Sequence, residues 1–219
     1  MANHYVSRRF FTIIFIVTST IISRQSYAGG EHSIKGGIHI SRILFTDKGP
    51  DTEKKHYEFD HSYPVNYSFG VFYKTQIKGI KIQTGLYFLK TNCQYTYYSD
   101  IEDLVRESVI FASWRIPLLF NLYQNKKNTL SIITGPDIGL NQEAKIHQYS
   151  KLNDIVLYNH SLNHIPFIDL FFCMGLNKMV SNHYFLELKY LVSITEYENM
   201  EVGSWRNNTL QFLIGYKFN

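Results

Sequence analysis

Residues 209–218, TLQFLIGYKF, constrain the fold more than any other stretch, because their side chains divide into two alternating sets. Alternation with a period of two is typical of a β-strand with one apolar face. A final strand of about ten residues with an aromatic end is what a transmembrane β-barrel needs to close its sheet. The last strand of a soluble β-sandwich fits the same pattern. The apolar set is Leu210, Phe212, Ile214, Tyr216 and Phe218. In a barrel, its last four members are the expected C-terminal assembly signal.

Composition narrows the class of protein. The chain has 219 residues, of which 45% are hydrophobic and only 18% charged, and this size fits one domain after processing. Its 17 tyrosines suit both β-strands and membrane interfaces. The net charge of +4 includes no basic block of the kind that binds nucleic acid. Cys93 and Cys173 form neither a CxxC motif nor a metal-binding spacing, so we expect two isolated thiols.

The N-terminus is typical of a secretory signal peptide. Arg8 and Arg9 precede a short apolar run at 10–22, and Ser26-Tyr27-Ala28 supplies small residues at the expected cleavage positions. We therefore predict a signal peptide at 1–28 and a β-barrel domain at 29–219. No later run reaches the roughly 18 apolar residues of a membrane helix. If the exported protein lies in a membrane, it must be a closed barrel, since open sheet edges leave backbone groups unpaired in lipid.

The predicted strands are separated by connections that alternate between long and short. This layout is typical of an up-and-down barrel with long loops outside and both termini in the periplasm. We predict an all-β fold, an eight-stranded antiparallel transmembrane β-barrel in the outer membrane. Its strands are expected at 33–45, 65–74, 80–89, 109–122, 129–140, 166–177, 184–194 and 209–218, and its long loops at 47–62, 90–107, 141–164 and 195–208.

The mixed faces of these strands carry charges of both signs, which in a barrel all point into the lumen. An eight-stranded lumen has room for side chains but not for a wide aqueous channel. We therefore predict a packed polar core, with Arg115 close to Asp137 across a strand pair. An ion or proton path along the charges is the functional alternative. The predicted network is Lys74, Lys81, Arg115, Asp137, Asp169, Glu187, Lys189 and Lys217.

Two prolines fall inside predicted strands. Proline cannot donate a hydrogen bond to a strand ladder and is usually confined to edges or bulges. A closed barrel has no edge, so we expect local bulges at Pro117 and Pro136.

Several short motifs stand at these strand positions: Gly36-Gly37-Ile38, Gly85-Leu86-Tyr87, Arg115-Ile116-Pro117-Leu118-Leu119, Thr134-Gly135-Pro136 with Gly139, and Gly215-Tyr216-Lys217-Phe218. With them the chain resembles the PorT-like outer-membrane β-barrel proteins of Bacteroidota over nearly all of 29–219. The resemblance accounts for both prolines and implies a small outer-membrane barrel without implying an activity. The family name derives from a member tied to protein secretion and surface attachment. Asn219 departs from the pattern by following the last aromatic residue.

We find no set of residues that predicts catalysis, a cofactor or a metal site. Asn159-His160-Ser161 is the nearest match to a hydrolase pair, but it falls in a predicted loop, where solvated side chains are expected. His160 and His164 have helical metal-ligand spacing without a third ligand. His39 is expected to face the lumen as a hydrogen-bonded core group, and His147 and Tyr149 fall in the longest predicted loop. The protein is therefore predicted not to be an enzyme.

Three functions fit the sequence. The first is a structural or surface-interaction barrel whose long loops bind a protein, a glycan or lipopolysaccharide, with Tyr95-Thr96-Tyr97-Tyr98 as an aromatic candidate or an interface girdle. The second is a component of an export or assembly complex, as the family resemblance implies. The third is a soluble lipocalin-like periplasmic protein, with the same alternation turned so that apolar residues line a cavity. For the membrane barrel, the expected partners are outer-membrane lipid and the barrel assembly machinery.

Overall fold

The computed structural model describes residues 30–46, 60–97, 105–125, 127, 129–150, 156–161, 166–199 and 203–218. The predicted signal peptide at 1–28 lies outside these ranges, as do His164 and Tyr98. The regular elements within the described ranges are β-strands. Their bounds are β1 Glu31–Thr46, β2 Asp60–Ser62, β3 Asn66–Ile77, β4 Ile80–Tyr97, β5 Val105–Gln124, β6 Leu130–Ser150, β7 Val156–Ser161, β8 Ile168–Met179, β9 Tyr184–Ser193, β10 Tyr197–Asn199 and β11 Gly203–Lys217.

Eight of these strands form one closed barrel. Their order is β1-β3-β4-β5-β6-β8-β9-β11, and each pairs antiparallel with its neighbour. The first and last strands then pair with each other, from Ser33 opposite Lys217 to Thr46 opposite Ser204, so the sheet has no open edge along the barrel. The predicted eight-stranded antiparallel barrel is confirmed.

The two ends of the barrel are different. At one end, here called the turn end, the connections are the short ones at 78–79, 125–129 and 180–183, and β1 begins and β11 finishes there. Lys78 and Gly79 both have positive φ, at 48° and 85°, as a two-residue hairpin turn requires. The other end, the loop end, holds the four long connections, at 47–65, 98–104, 151–167 and 194–202.

Strands extend further towards the loop end than the sequence predicted. Residues 90–97, 105–107 and 141–150, assigned to loops, belong to β4, β5 and β6. The short strands β2 and β7 pair with β4 and β6, and β10 pairs with β11, so the wall continues beyond the closed part. The prediction was wrong because sequences such as 141–150, NQEAKIHQYS, have few apolar residues to mark an alternating face.

The two prolines do not cause bulges, contrary to the prediction. The β5–β6 register shifts between Ala112 and Ser113 and again between Asn121 and Tyr123, away from both prolines. Between the pairs Pro117–Asp137 and Phe120–Thr134 the register is unchanged. Near the prolines, which have no backbone N–H to donate, β5 and β6 therefore leave two residue pairs unbonded instead of inserting an extra residue. β5 and β6 approach each other closely at this point. A glycine is needed at position 135, because a Cβ there would collide with the Leu118 carbonyl oxygen.

The two faces of the wall have opposite character. Along β8 and β9 exposed and buried side chains alternate at nearly every position. Exposed apolar residues form an outer belt that includes Ile38, Phe69, Met174, Leu188 and Ile214. The lipocalin-like alternative required the reverse arrangement, so its predicted faces are wrong. By alternation Tyr73 belongs with the exposed Phe69 and Val71 of β3, but it is itself buried against His32, with 5.0 Å between ring centroids.

Candidate functional site

The lumen contains a buried cluster around Arg115, called the Arg115 cluster. Arg115 on β5 lies 2.9 Å from Asp137 on β6 (Nε to Oδ1) and 3.6 Å from Asp169 on β8 (Nη1 to Oδ2). The hydroxyl of Tyr87 on β4 donates to the other oxygen of Asp137 at 2.5 Å. The guanidinium also lies 4.0 Å from the centroid of the Phe171 ring. The cross-strand pair of Arg115 and Asp137 predicted from the sequence is present and joins a larger network.

A second group of charges, the Glu187 cluster, lies beside the first. The carboxylate of Glu187 accepts from Lys35 at 2.6 Å and from Asn177 at 3.1 Å, and lies 3.3 Å from the ammonium of Lys189. The side chains of the three charged residues are at most 1% exposed. The Lys189 ammonium also lies 5.0 Å from the Tyr87 ring centroid, so Tyr87 contacts both clusters.

The charges of the two clusters compensate each other. The Arg115 cluster has one cation and two carboxylates, whereas the Glu187 cluster has two cations and one carboxylate. An unpaired charge out of water is costly, and pairing reduces that cost only when hydrogen bonds complete the geometry. Placed side by side, the clusters bring together three cations and three carboxylates, which with Tyr87 come from six of the barrel strands. The hydrogen bonding is incomplete, since Asp169 Oδ1, Glu187 Oε1 and Lys189 Nζ have no hydrogen-bond partner among the described residues.

Neutral hydrogen bonds link strands across the lumen nearer the loop end. His39 lies 3.2 Å from Thr91 (Nε2 to Oγ1), and Gln211 donates to Ser68 at 2.6 Å. Each contact joins strands that are not neighbours in the wall. His39 therefore faces the lumen with a hydrogen-bond partner, as the sequence predicted.

The lumen also contains apolar layers that the sequence analysis missed. One is an apolar plug of side chains at most 1% exposed, on four strands: Leu119, Ile133, Phe171, Cys173 and Leu191. Its members lie on the same faces of their strands as the predicted lumen charges, for example Leu191 with Glu187 and Lys189. The sequence therefore indicated that they face the lumen, but an apolar residue on a mixed face does not by itself identify a packed layer.

An aromatic cap lies above the charges towards the loop end. The rings of Tyr197 on β10 and Trp205 on β11 stack with 4.4 Å between centroids, and Phe111 on β5 packs against both at 5.6 and 5.3 Å. All three side chains are buried. Trp205 falls within the loop predicted at 195–208 but belongs to the closing strand β11. Cap, clusters and plug thus place buried side chains along the lumen.

Three of the eight predicted network residues lie outside the clusters, near the turn end. Lys217 lies 3.5 Å from Glu31 across the closing seam, and Lys81 donates to Gln124 at 2.5 Å. Lys74 is partly exposed on β3. Lys35 and Tyr87 belong to the clusters but were absent from the predicted set. Lys35 lies on the same face of β1 as His39, and Tyr87 on the same face of β4 as Lys81.

The predicted assembly-signal residues lie on the outer face of β11 or at its end. Phe212, Ile214 and Phe218 are exposed, and Tyr216 packs edge-on against Tyr184 with 5.2 Å between ring centroids. The last strand therefore presents apolar and aromatic side chains outwards at the seam where the barrel closes. Whether these residues direct assembly stays a prediction.

The candidate chemical motifs are placed without a catalytic arrangement. Asn159-His160-Ser161 belongs to β7, contrary to the loop assignment, and pairs with β6. His147 and Tyr149 lie on β6, not in a loop, and their rings stack with 6.3 Å between centroids. Within the described residues, no three His, Cys, Asp or Glu side chains are grouped to hold a metal ion. The thiols of Cys93 and Cys173 are buried and free.

In the described part of the chain, no helix is both long and apolar enough to span a membrane. No protein-family model matches the chain. No curated protein sequence matches it either.

Solved structures show a likeness to known barrels. The first is the attachment invasion locus protein Ail of Yersinia pestis in complex with the heparin analogue sucrose octasulfate. It is 16% identical, covers 86% of this chain and 99% of its own, and has a TM-score of 0.44. Neisserial surface protein A is 11% identical, with coverage of 87% and 99% and a TM-score of 0.42. The translocator domain of the autotransporter NalP from Neisseria meningitidis is 8% identical, with coverage of 95% and 97% and a TM-score of 0.30.

Proposed function

We propose that the protein is an outer-membrane β-barrel that crosses the bilayer through its apolar outer belt and acts at the surface through its loop end. The observation that carries this proposal is the inversion of the two faces. Apolar side chains such as Leu176 and Phe212 are exposed around the barrel, while Arg115 and Glu187 are buried inside it. In water such a continuous apolar surface would aggregate, whereas in lipid a closed barrel satisfies both its side chains and its backbone.

The lumen is proposed to support the wall rather than to conduct. Apolar side chains lie among the charges: along β9 Leu191 is on the loop-end side of Lys189, and along β5 Leu119 is on the turn-end side of Arg115. Ions cross such apolar groups poorly. Because Lys35, Arg115 and Lys189 already have carboxylate partners, moving a solute past them would break buried ion pairs. The protein therefore acts by contact, without catalysis, and the long connections are where contact residues are found in such scaffolds.

The charge of the loop end favours one class of partner. The four long connections hold twelve carboxylates and four lysines in their sequence. A sulfated or otherwise polyanionic glycan would meet like charge there. A cationic protein surface or a neutral glycan fits better, because complementary potentials steer association. The strand extensions β2, β7 and β10 would support these connections on ordered backbone.

We also propose that the chain belongs to the PorT-like family. This is supported by the motif residues, which lie together where β5 pairs with β6 and each contribute to the structure there. Arg115 anchors the buried cluster, while Pro117, Gly135 and Pro136 lie at or beside the omitted ladder pairs. A place in an export or assembly complex is the second candidate function, and it too would use surfaces of the loop end or the turn end.

Fractionation with a heat-shift gel tests the proposed function. The precursor is expressed in a Gram-negative host, and the detergent-extracted protein is run heated and unheated. We expect an outer-membrane band whose migration changes on heating. Epitopes inserted at 51–58 and at 126–128 form a matched pair, of which only the first should be labelled on intact cells. A soluble periplasmic product without a heat shift would overturn the proposal, and labelling of the second epitope alone would reverse the orientation.

A further inference from the structure

The turn end carries a concentrated positive charge. In the ranges 30–33, 73–82, 122–132, 177–185 and 216–218, the described residues include six lysines and a single carboxylate, that of Glu31. The loop-end connections are acidic and the buried clusters are neutral together, so positive charge is concentrated at one end of the barrel. We call the six lysines the basic ring; they are Lys74, Lys78, Lys81, Lys127, Lys178 and Lys217.

Half of the basic ring is exposed and has no counter-charge among the described residues. Lys217 pairs with Glu31, and Lys81 is bound to the neutral amide of Gln124. Lys78, Lys127 and Lys178 are exposed, and none of them forms an ion pair with another described residue. Exposed lysines are usually solvated, so exposure alone gives them no role. What distinguishes these three is that they lie on three separate hairpins at one end of the barrel, where an anion outside the protein can contact them together.

Exposed apolar residues lie beside three lysines of the basic ring, Lys78, Lys178 and Lys217. Lys78 lies between Ile77 and Ile80, which are 48% and 54% exposed, and Val180, two residues after Lys178, is 62% exposed. Lys217 is followed by the exposed Phe218. Apolar side chains at the tips of turns are stable in the acyl region, so the ammonium groups next to them would lie at headgroup depth.

We propose that the basic ring binds the phosphate groups of anionic phospholipids of the phosphatidylglycerol class in the leaflet at the turn end. Clustered lysines at a membrane surface attract anionic lipid, and the attraction falls within a Debye length. The inference rests on the proposed function in needing a bilayer. The anionic cell-wall polymer is the competing partner, but it lies beyond the headgroups, whereas Ile77, Ile80 and Val180 place the turns within them.

Lipid selectivity measured by spin-label spectroscopy tests this proposal. Protein recovered from the outer-membrane fraction is reconstituted into phosphatidylcholine vesicles with traces of spin-labelled phosphatidylglycerol or phosphatidylcholine. The wild type should prefer the anionic label by about twofold or more in low salt. The preference should disappear near 1 M salt, where the Debye length is about 3 Å.

Two variants with the same change in net charge locate the binding end. K78Q/K127Q/K178Q should lose most of the preference, whereas R42Q/K90Q/R106Q, which neutralises three exposed cations towards the loop end, should keep it. All three proteins should retain the heat shift, so a failure here is distinct from a failure of the proposed function. Absence of preference in the wild type, or equal loss in both variants, would overturn the proposal. Sedimentation with purified cell-wall sacculi, abolished only in the turn-end variant and without lipid preference, would reassign the basic ring to the wall polymer.

Discussion

The inner and outer faces of β9 differ in how much each side chain depends on its neighbours. Glu187 and Lys189 point inwards, are fully buried and contact groups on other strands. Leu188 and Tyr190, between and beside them, point outwards and are 44% and 46% exposed. The inner face is therefore specified by individual contacts, and the outer face mainly by hydrophobicity. Substitutions on the two faces of one strand should fail for different reasons.

The largest effect is expected from Glu187→Leu, which removes the carboxylate shared by Lys35 and Lys189. Two buried ammonium groups then lose their counter-charge, and breaking such a pair typically costs about 3–5 kcal/mol. The free energy of unfolding is measured by urea titration of the heat-modifiable band in vesicles.

The double variant K35M/E187L sharpens this prediction. It removes one cation together with its carboxylate partner, so the remaining charges of the two clusters stay balanced, and its stability should be closer to wild type than that of the single variant. Equal instability of both would mean that the charges are needed for reasons other than their pairing.

The outer face should respond to charge according to depth in the bilayer. Leu188→Arg places a guanidinium in the apolar belt and should destabilise the inserted protein by about 2–4 kcal/mol at mid-bilayer. Ile77→Arg, at a turn, should cost only about 0–1 kcal/mol because the group reaches the interface. Both are measured as folded fractions in vesicles over a urea series. Equal costs at the two positions would contradict the assignment of Leu188 to the lipid-facing belt.

The barrel and its faces were largely predictable because a period of two is a local property. In residues 209–218 alternation gave the two sets of side chains, although not which set faces outwards, and the pattern of long and short connections gave the neighbour order. The strand extensions were missed where the wall leaves the apolar belt, because both faces of 141–150 are polar there. The prolines were misjudged because omitted ladder pairs and an inserted residue leave similar traces in a sequence.

The site was predicted only in part because its contacts are distant in the sequence. Arg115 and Asp137 lie on adjacent strands of one hairpin, so turn geometry indicated their pairing. Lys35 and Glu187 are 152 residues apart and meet across the lumen. The stacking of Tyr197 on Trp205 depended on β10, a short strand inside an apparent acidic loop. Contacts of this kind follow from barrel closure and register, which single strands do not encode.

A smaller effect is expected from removing a single hydroxyl inside the lumen. Tyr87→Phe leaves the buried Asp137 carboxylate without one donor and should cost about 1–3 kcal/mol. Tyr190→Phe makes the same chemical change on the outer face, where the hydroxyl accepts only an exposed bond from Asn208 at 3.2 Å. Its cost should be within about 0.5 kcal/mol of zero. Urea midpoints for the pair would show whether burial decides the value of a tyrosine hydroxyl here.

The smallest effect is expected at the closing seam, where Glu31 and Lys217 form the exposed counterpart of the buried pairs. Their side chains are 51% and 26% exposed at an N–O distance of 3.5 Å, so water and salt screen the attraction. Glu31→Gln should therefore cost only about 0.2–1 kcal/mol, and less at high salt. Urea titrations in low salt and near 1 M salt measure both values. Because Glu31 and Glu187 each pair with a lysine, a cost at Glu31 approaching that of Glu187→Leu would mean that closure of β1 on β11, rather than burial, determines what an ion pair contributes.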